Sequence, residues 1–215
     1  MQELPKEIPL FPLQKCILLP GCNLPLQLFE PRYLQMYEDL QIGAKFIGII
    51  QPKSEVEPTH IDLFDVGTVA EIIEAKSLPN RRYAVVLRGL RRFCIQSEIT
   101  DKKVLYRKAT VSYEKYIMDP SQKDVHLDRD EFFVLLDQYI RKKKIKIKME
   151  NIKSIRNFQL INILSQVLPF SVLEKQALLE VESHHDRMEQ LITLLKMETY
   201  TSGQISENKS DPILN

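Results

Sequence analysis

The chain has no tryptophan, six glycines and only three cysteines among its 215 residues. Each shortage excludes something. Cys16, Cys22 and Cys94 are odd in number and form no Cys-x-x-Cys pair. That argues against a disulfide framework and a thiolate zinc site, and suits a reducing compartment. No apolar run approaches the ~20 residues needed to span a bilayer. The opening Met1-Gln-Glu-Leu-Pro-Lys-Glu7 has no basic segment leading into an apolar one, so no signal peptide is expected. Charge excess is also missing. Thirty Lys and Arg stand against 29 Asp and Glu, a net charge of +1 that points globally to neither nucleic acid nor membrane. A cytoplasmic protein with no membrane partner is the expectation. What remains is ordinary globular composition, 44% hydrophobic and 27% charged, which can bury a core without metal or disulfide.

Composition changes near residue 120. Before it, Pro and Gly punctuate short apolar runs; after it come long helical patterns with almost no Gly. Pro9, Pro12 and Pro20 make 8–20 extended. Pro31 suits the first position of a helix, with Glu30 as its cap and Tyr33, Leu34, Tyr37 and Leu40 at helical spacing up to Gly43 as the C′ residue. Strands are expected over 45–50, 66–73, 83–87, 91–99 and 105–113, with 78–81 as a turn and 53–58 as a loop. Helices are expected from Asp128, over 152–167, from Ser171 with a Ser-x-x-Glu capping box, and from about Asp186. The tail from Thr199 is polar and is expected to be disordered.

Ile8-Pro-Leu-Phe-Pro-Leu13, Leu18-Leu-Pro-Gly21 and Leu24-Pro-Leu-Gln-Leu-Phe-Glu-Pro-Arg-Tyr33 resemble the opening of the Lon protease N-terminal, substrate-binding domain. Asp65-Val-Gly-Thr-Val-Ala70 and Arg88-Gly-Leu-Arg-Arg-Phe93 resemble its strand motifs, and Leu168-Pro-Phe-Ser-Val-Leu-Glu174 its helical half. The resemblance covers roughly residues 7–197 and is closest to the stand-alone bacterial version of that domain. It implies an α+β fold: a PUA-like six-stranded β-barrel with an embedded helix over 1–118, a helical bundle over 119–198 and a tail over 199–215. Pro25, Glu30, Pro31, Arg32, Gly67 and Gly89 belong to its structural motifs. It also implies a non-catalytic module that binds unfolded or extended polypeptide, with a protease or chaperone as a further partner.

The residues carry no recognisable catalytic motif. The one Gly-x-x-x-x-Gly, Gly43 to Gly48, continues Ile49-Ile50 rather than Lys-Ser/Thr, so it is no P-loop. No Gly-x-Ser-x-Gly, Gly-x-Gly-x-x-Gly or His-Glu-x-x-His appears. His184 and His185 are adjacent, so they point about 100° apart on a helix and make a poor two-ligand face; they are expected to be solvated. No catalytic residue, metal or cofactor is therefore assigned. Cys16 and Cys94 are expected to be buried and Cys22 exposed after its Pro-Gly turn.

Two binding surfaces are expected. Phe29, Tyr33, Tyr37 and Phe170 are the candidate polypeptide contacts, in a crease between the two halves, although aromatics chiefly fill cores. Lys142, Lys143, Lys144, Lys146 and Lys148 are a candidate basic partner surface. Between residues 141 and 156 eight Lys and Arg stand against one acidic residue, Glu150. Arg81, Arg82, Arg88, Arg91 and Arg92 form a second cluster in the strands. RNA binding through 141–156 is the alternative reading, since PUA-like folds include RNA binders; an adaptor for a protease supplied in trans is another.

Overall fold

The computed structural model of the chain describes residues 3–43, 45–53, 62–119 and 124–200. Six strands form one mixed sheet: β1 (Glu7–Pro12), β2 (Asn23–Leu28), β3 (Phe46–Pro52), β4 (Leu63–Leu78), β5 (Arg82–Ile99) and β6 (Arg107–Ser112). Six α-helices accompany them among the described residues: α1 (Pro31–Ile42), α2 (Arg129–Lys143), α3 (Glu150–Lys153), α4 (Asn157–Val167), α5 (Val172–Glu180) and α6 (His184–Tyr200). The chain divides into two compact units. The first takes in residues 1–122 and 162–182, the second 123–161 and 183–215. Residues 162–182, expected in a helical bundle over 119–198, therefore go with the sheet. Of the expected disordered tail, Thr199 and Tyr200 end α6, and the rest lies outside the described residues, as does most of the expected 53–58 loop.

The strand order is β2-β5-β4-β3-β1-β6, and β6 also pairs with β5. The ladder can return to β5 because that strand is 18 residues long. Its first half pairs with β2 (Asn23↔Arg88 to Leu28↔Tyr83) and its second half with β6 (Cys94↔Ser112 to Ile99↔Lys108). The two strands expected over 83–87 and 91–99 are thus one, running through Gly89. Irregular register in β4–β5 between Val69 and Ala70 and between Ile72 and Glu74 bends this long pair. The β4–β5 loop turns at Asn80 and Arg81, both at positive φ (62° and 51°).

Two glycines are required by close approach. A Cβ at Gly67 would lie 2.5 Å from the Ile49 carbonyl oxygen and 2.6 Å from the Phe93 ring. A Cβ at Gly89 would lie 2.5 Å from the Leu19 carbonyl oxygen. Around them the sheet buries Ile8, Leu10, Phe46, Ile50, Val69, Phe93 and Val111 as a core. On another side of the sheet, α5 is docked by polar contacts. Gln51 donates from Nε2 to Gln176 Oε1 (3.0 Å) and to the Val172 carbonyl (3.1 Å), and Gln176 donates to the Val66 carbonyl (3.1 Å).

Local capping explains the helix starts. Ser171 and Glu174 complete a reciprocal capping box on α5, and the Asp128 side chain accepts from the Glu131 N–H on α2. Glu30 sits at the N-cap of α1 without a side-chain capping bond. Gly43 ends that helix as its C-cap at φ −116°, not in the left-handed conformation expected of a C′ glycine. The single helix expected over 152–167 is broken into α3 and α4 around 154–156.

Candidate functional site

A groove lies at the outer end of the β2–β5–β4 ladder in the sheet-containing unit. Its register stacks two cross-strand rows, Pro25–Val86–Glu74 and Gln27–Ala84–Lys76. These six residues line a groove of about 660 Å³. In the strand order β2 is terminal, so one of its edges carries backbone groups that no other strand pairs. Pro25, which cannot donate to a ladder, is tolerated in such an edge strand. An unpaired edge beside a partly apolar face is what an extended polypeptide can add to, by main-chain hydrogen bonds with alternate side chains set against the face.

The sequence-predicted aromatics are not brought together as a surface. Tyr33, Tyr37 and Phe170 are 5%, 8% and 3% exposed; they are core residues. Tyr33 packs edge-on to Phe11 at 4.0 Å, and Tyr37 lies against Tyr83 at 4.4 Å. Burial pushes the Tyr33 phenol up to about 12, with Arg32 opposing the shift. Burial also raises Tyr37, with Tyr83 adding. Phe29, just after β2, is 61% exposed and is the one member of the set available to a partner. All four belong to the sheet-containing unit. Glu30 and Arg32 form a surface ion pair at 2.7 Å, with the Arg32 guanidinium over the Tyr33 ring. Such an exposed pair is worth ~0–1 kcal/mol.

The arginine cluster disperses. Arg92 is 1% exposed and forms a twin-contact ion pair with Asp119, Nη2 to Oδ1 at 2.7 Å and Nε to Oδ2 at 3.0 Å. Its other donors reach the Leu179 carbonyl (2.7 Å) and the Val181 and Glu182 carbonyls, which follow the end of α5 or lie within its last turn. Its guanidinium stacks 3.9 Å above the Tyr116 ring. Sequence reasoning missed this latch: Asp119 is 27 residues away, and nothing local marks the pair.

In the second unit, the basic stretch is partly consumed by its own surroundings. Lys142 donates to the Glu198 and Thr199 carbonyls (2.5 and 2.8 Å) at the end of α6. Lys143 pairs with Glu198 (2.6 Å) and Arg141 with Asp137 (2.8 Å). Lys144 adopts φ 55° after α2. The side chains of Lys144, Lys146 and Lys148 are exposed and make no hydrogen bond or ion pair among the described residues. His184, expected in solvent, is 6% exposed: it is the first residue of α6, which starts two residues earlier than expected, and its ring packs 4.3 Å from that of Phe158. His185 is exposed.

The cysteines also depart from their expected places: Cys22 is buried, and Cys16 and Cys94 are half-buried. Burial raises the thiol pKa of Cys16 and Cys94, which disfavours the reactive thiolate. Among the described residues no three His, Cys, Asp or Glu side chains converge as a metal cage would require, and no helix is long and apolar enough to cross a membrane.

Comparison with known proteins decides the family. The model of the ATP-dependent protease La (LON) substrate-binding domain matches residues 7–197. This chain belongs to that family. Among curated Lon substrate-binding relatives, the Lon protease of Flavobacterium johnsoniae is 28% identical over 210 residues, covering 92% of this chain and 25% of the relative. The Lon protease of Buchnera aphidicola (subspecies Acyrthosiphon pisum) is 26% identical over 197 residues, covering 89% and 25%. The chain therefore spans about a quarter of the length of the bacterial relatives it matches, and only their substrate-binding domain is matched. A Lon N-terminal domain protein from Xanthomonas campestris shares the fold with a TM-score of 0.62 at 22% identity, covering 87% of this chain and 97% of that one. The N-terminal domain of Mycobacterium avium complex Lon protease gives 0.60 at 17% identity, covering 90% and 98%.

Proposed function

We propose that this chain is a non-catalytic protein- and peptide-binding module that accepts extended or unfolded polypeptide along the β2 edge and the groove beside it. The observation that carries the reading is the match to the substrate-binding domain across 7–197. The unpaired β2 edge, the Val86–Ala84 face and exposed Phe29 supply a place for such a ligand. On this reading the return of the strand ladder to β5 makes a PUA-like barrel, and the binding surface lies on the β2 extension of it. Three cysteines with no Cys-x-x-Cys pair accord with work in a reducing, cytoplasmic setting.

The test is fluorescence anisotropy with a labelled, chemically unfolded protein. Micromolar binding is expected, and Val86→Glu, which puts a charge into the groove, should weaken it about tenfold or more, the equivalent of ~1.4 kcal/mol. Val86→Ala should have little effect. No binding at tens of micromolar chain, or equal binding by Val86→Glu, would overturn the reading.

A second reading rests on the exposed lysines 144, 146 and 148: RNA binding, in which affinity falls steeply with salt. A gel shift at two salt concentrations with all three changed to Glu decides it. The match to a Lon substrate-binding domain also accords with an adaptor for a protease supplied in trans, which co-purification from cells would show.

A further inference from the structure

The backbone of β2 turns alternate residues to its open edge, and neighbouring hydrogen bonds decide which ones. The Gly89 N–H donates to the Cys22 carbonyl at 2.9 Å, so Gly89 addresses the β2 side. By alternation Leu87 and Val85 do the same, and their partners on β2 are Leu24 and Leu26. The other flank of β5 agrees: Ile72, the β4 partner of Leu87, donates its N–H to the Lys45 carbonyl and so turns away from β5. Asn23, Pro25 and Gln27 therefore point their backbone groups outward. Gln166 bears this out by donating from Nε2 to the Asn23 carbonyl at 3.0 Å, as the N–H of an added strand would. Three edge residues would offer six groups, but Pro25 has no N–H and the Asn23 carbonyl is taken. Four are left: the Asn23 N–H, the Pro25 carbonyl and both groups of Gln27. None of the four has a partner among the described residues.

We propose that the edge pairs with an antiparallel client strand at Gln27 and Pro25, and that it selects segments whose alternate residues are apolar and keep a free N–H; this rests on the polypeptide reading above. The antiparallel sense continues the ladder it extends, since β2–β5 and β5–β4 are both antiparallel. The client residue opposite Gln27 exchanges two hydrogen bonds with it, and the residue opposite Pro25 donates one to the Pro25 carbonyl. Directly opposed side chains share a face. Those two client side chains therefore extend the rows Pro25–Val86–Glu74 and Gln27–Ala84–Lys76 beside the groove. The same two positions thus take an apolar side chain and require an N–H, which excludes proline there. Residues between them turn their N–H away from β2 and escape that demand. A second copy of this chain is the poorer occupant, because it brings its own Pro25. An antiparallel β2 pair that sets Pro25 against itself makes no bond at that position, and one that sets Pro25 against Gln27 makes one of two.

The test is fluorescence anisotropy of the full chain with a fluorescein-labelled peptide, Ser-Val-Ser-Val-Ser-Val-Ser, and two derivatives. One derivative is N-methylated at its three valines, the other at three of its serines, so that both carry the same number of methyl groups. The valine-methylated peptide should bind about tenfold or more weakly than the serine-methylated one, the effect of losing about two hydrogen bonds. Gln27→Pro removes an N–H that no ladder bond uses, so it should melt near the parent chain and still lower affinity for the unmethylated peptide several-fold. Should Gln27→Pro fail to fold, the methylated peptides decide alone. Equal binding of the two derivatives, or weaker binding of the serine-methylated one, overturns the pairing rule. So does an unmethylated peptide that fails to bind to a chain that takes up unfolded protein. A dimer in sedimentation that Gln27→Pro dissolves gives the edge to a second copy and overturns it as well. Failure of unfolded protein to bind sinks the polypeptide reading itself. Weakened binding of unfolded protein by Val86→Glu, with the two methylated peptides equal, keeps that reading and sinks only the backbone rule.

Discussion

Arg91 and Arg92 are neighbours on β5, and the alternation of a strand sends them to opposite faces. The Arg92 face meets Asp119, Tyr116 and the carbonyls around the end of α5, and every donor direction is used. On the Arg91 side lie Val111 and Tyr113, and the Arg91 Nε has no hydrogen-bond partner. One guanidinium is a structural pin, and the other carries a buried N–H that nothing pins. The residue type is the same on both sides of the strand; what differs is the supply of acceptors, and that is decided by segments far away in sequence.

The largest test of this contrast is Arg92→Met. It leaves Asp119 buried with its charge uncompensated, and breaking a buried pair from one side costs ~3–5 kcal/mol. Urea unfolding should show that loss. Arg91→Met removes an unsatisfied donor and should leave stability within ~0.5 kcal/mol or raise it. Equal losses for the two variants would erase the distinction.

Much of the fold was legible before the structure, and the legible parts are local. Pro31 at the start of α1, the Ser171–Glu174 box of α5 and the turn at 79–81 are each written within a few residues. What was not legible depends on distant partners. Nothing near Arg92 announces Asp119, and nothing near His184 announces Phe158. The cysteines failed for the same reason: Cys22 follows a Pro-Gly turn, but the Gly21 and Cys22 backbone pairs with Gly89 and is covered there. Tyr33 and Tyr37 were readable as one helical face, and a helical face of aromatics is a core signal more than a binding one. The β2 groove was missed because it depends on strand order, which no local pattern carries.

A smaller test concerns the Arg91 side of the sheet. Phe93 can fill that face only because Gly67 has no side chain: a Cβ there would stand 2.6 Å from the ring and 2.5 Å from the Ile49 carbonyl. Backbone cannot give way as a flexible side-chain end can. Gly67→Ala should therefore cost ~1–3 kcal/mol, the usual range for overpacking, and should shift the Arg91 Nε–H NMR signal because Phe93 lies on the same face. Loss of stability without that shift would show that the strain escapes toward β3 instead.

The smallest effects separate lysines that are used from lysines that are available. Lys142 holds the last carbonyls of α6, groups that a helix end leaves without intrahelical partners. Its replacement by Ala should cost ~0.3–1 kcal/mol, the scale of a cation at a helix C-terminus. Lys146→Ala touches no partner and should change stability by less than ~0.5 kcal/mol. The difference should shrink in high salt, because the Lys142 contact is exposed and screened. Should Lys146→Ala instead weaken RNA or an acidic partner while Lys142→Ala does not, the basic stretch is divided by function as it is by geometry: Lys142 and Lys143 tie α2 to the end of α6, and the lysines beyond them face outward for a partner.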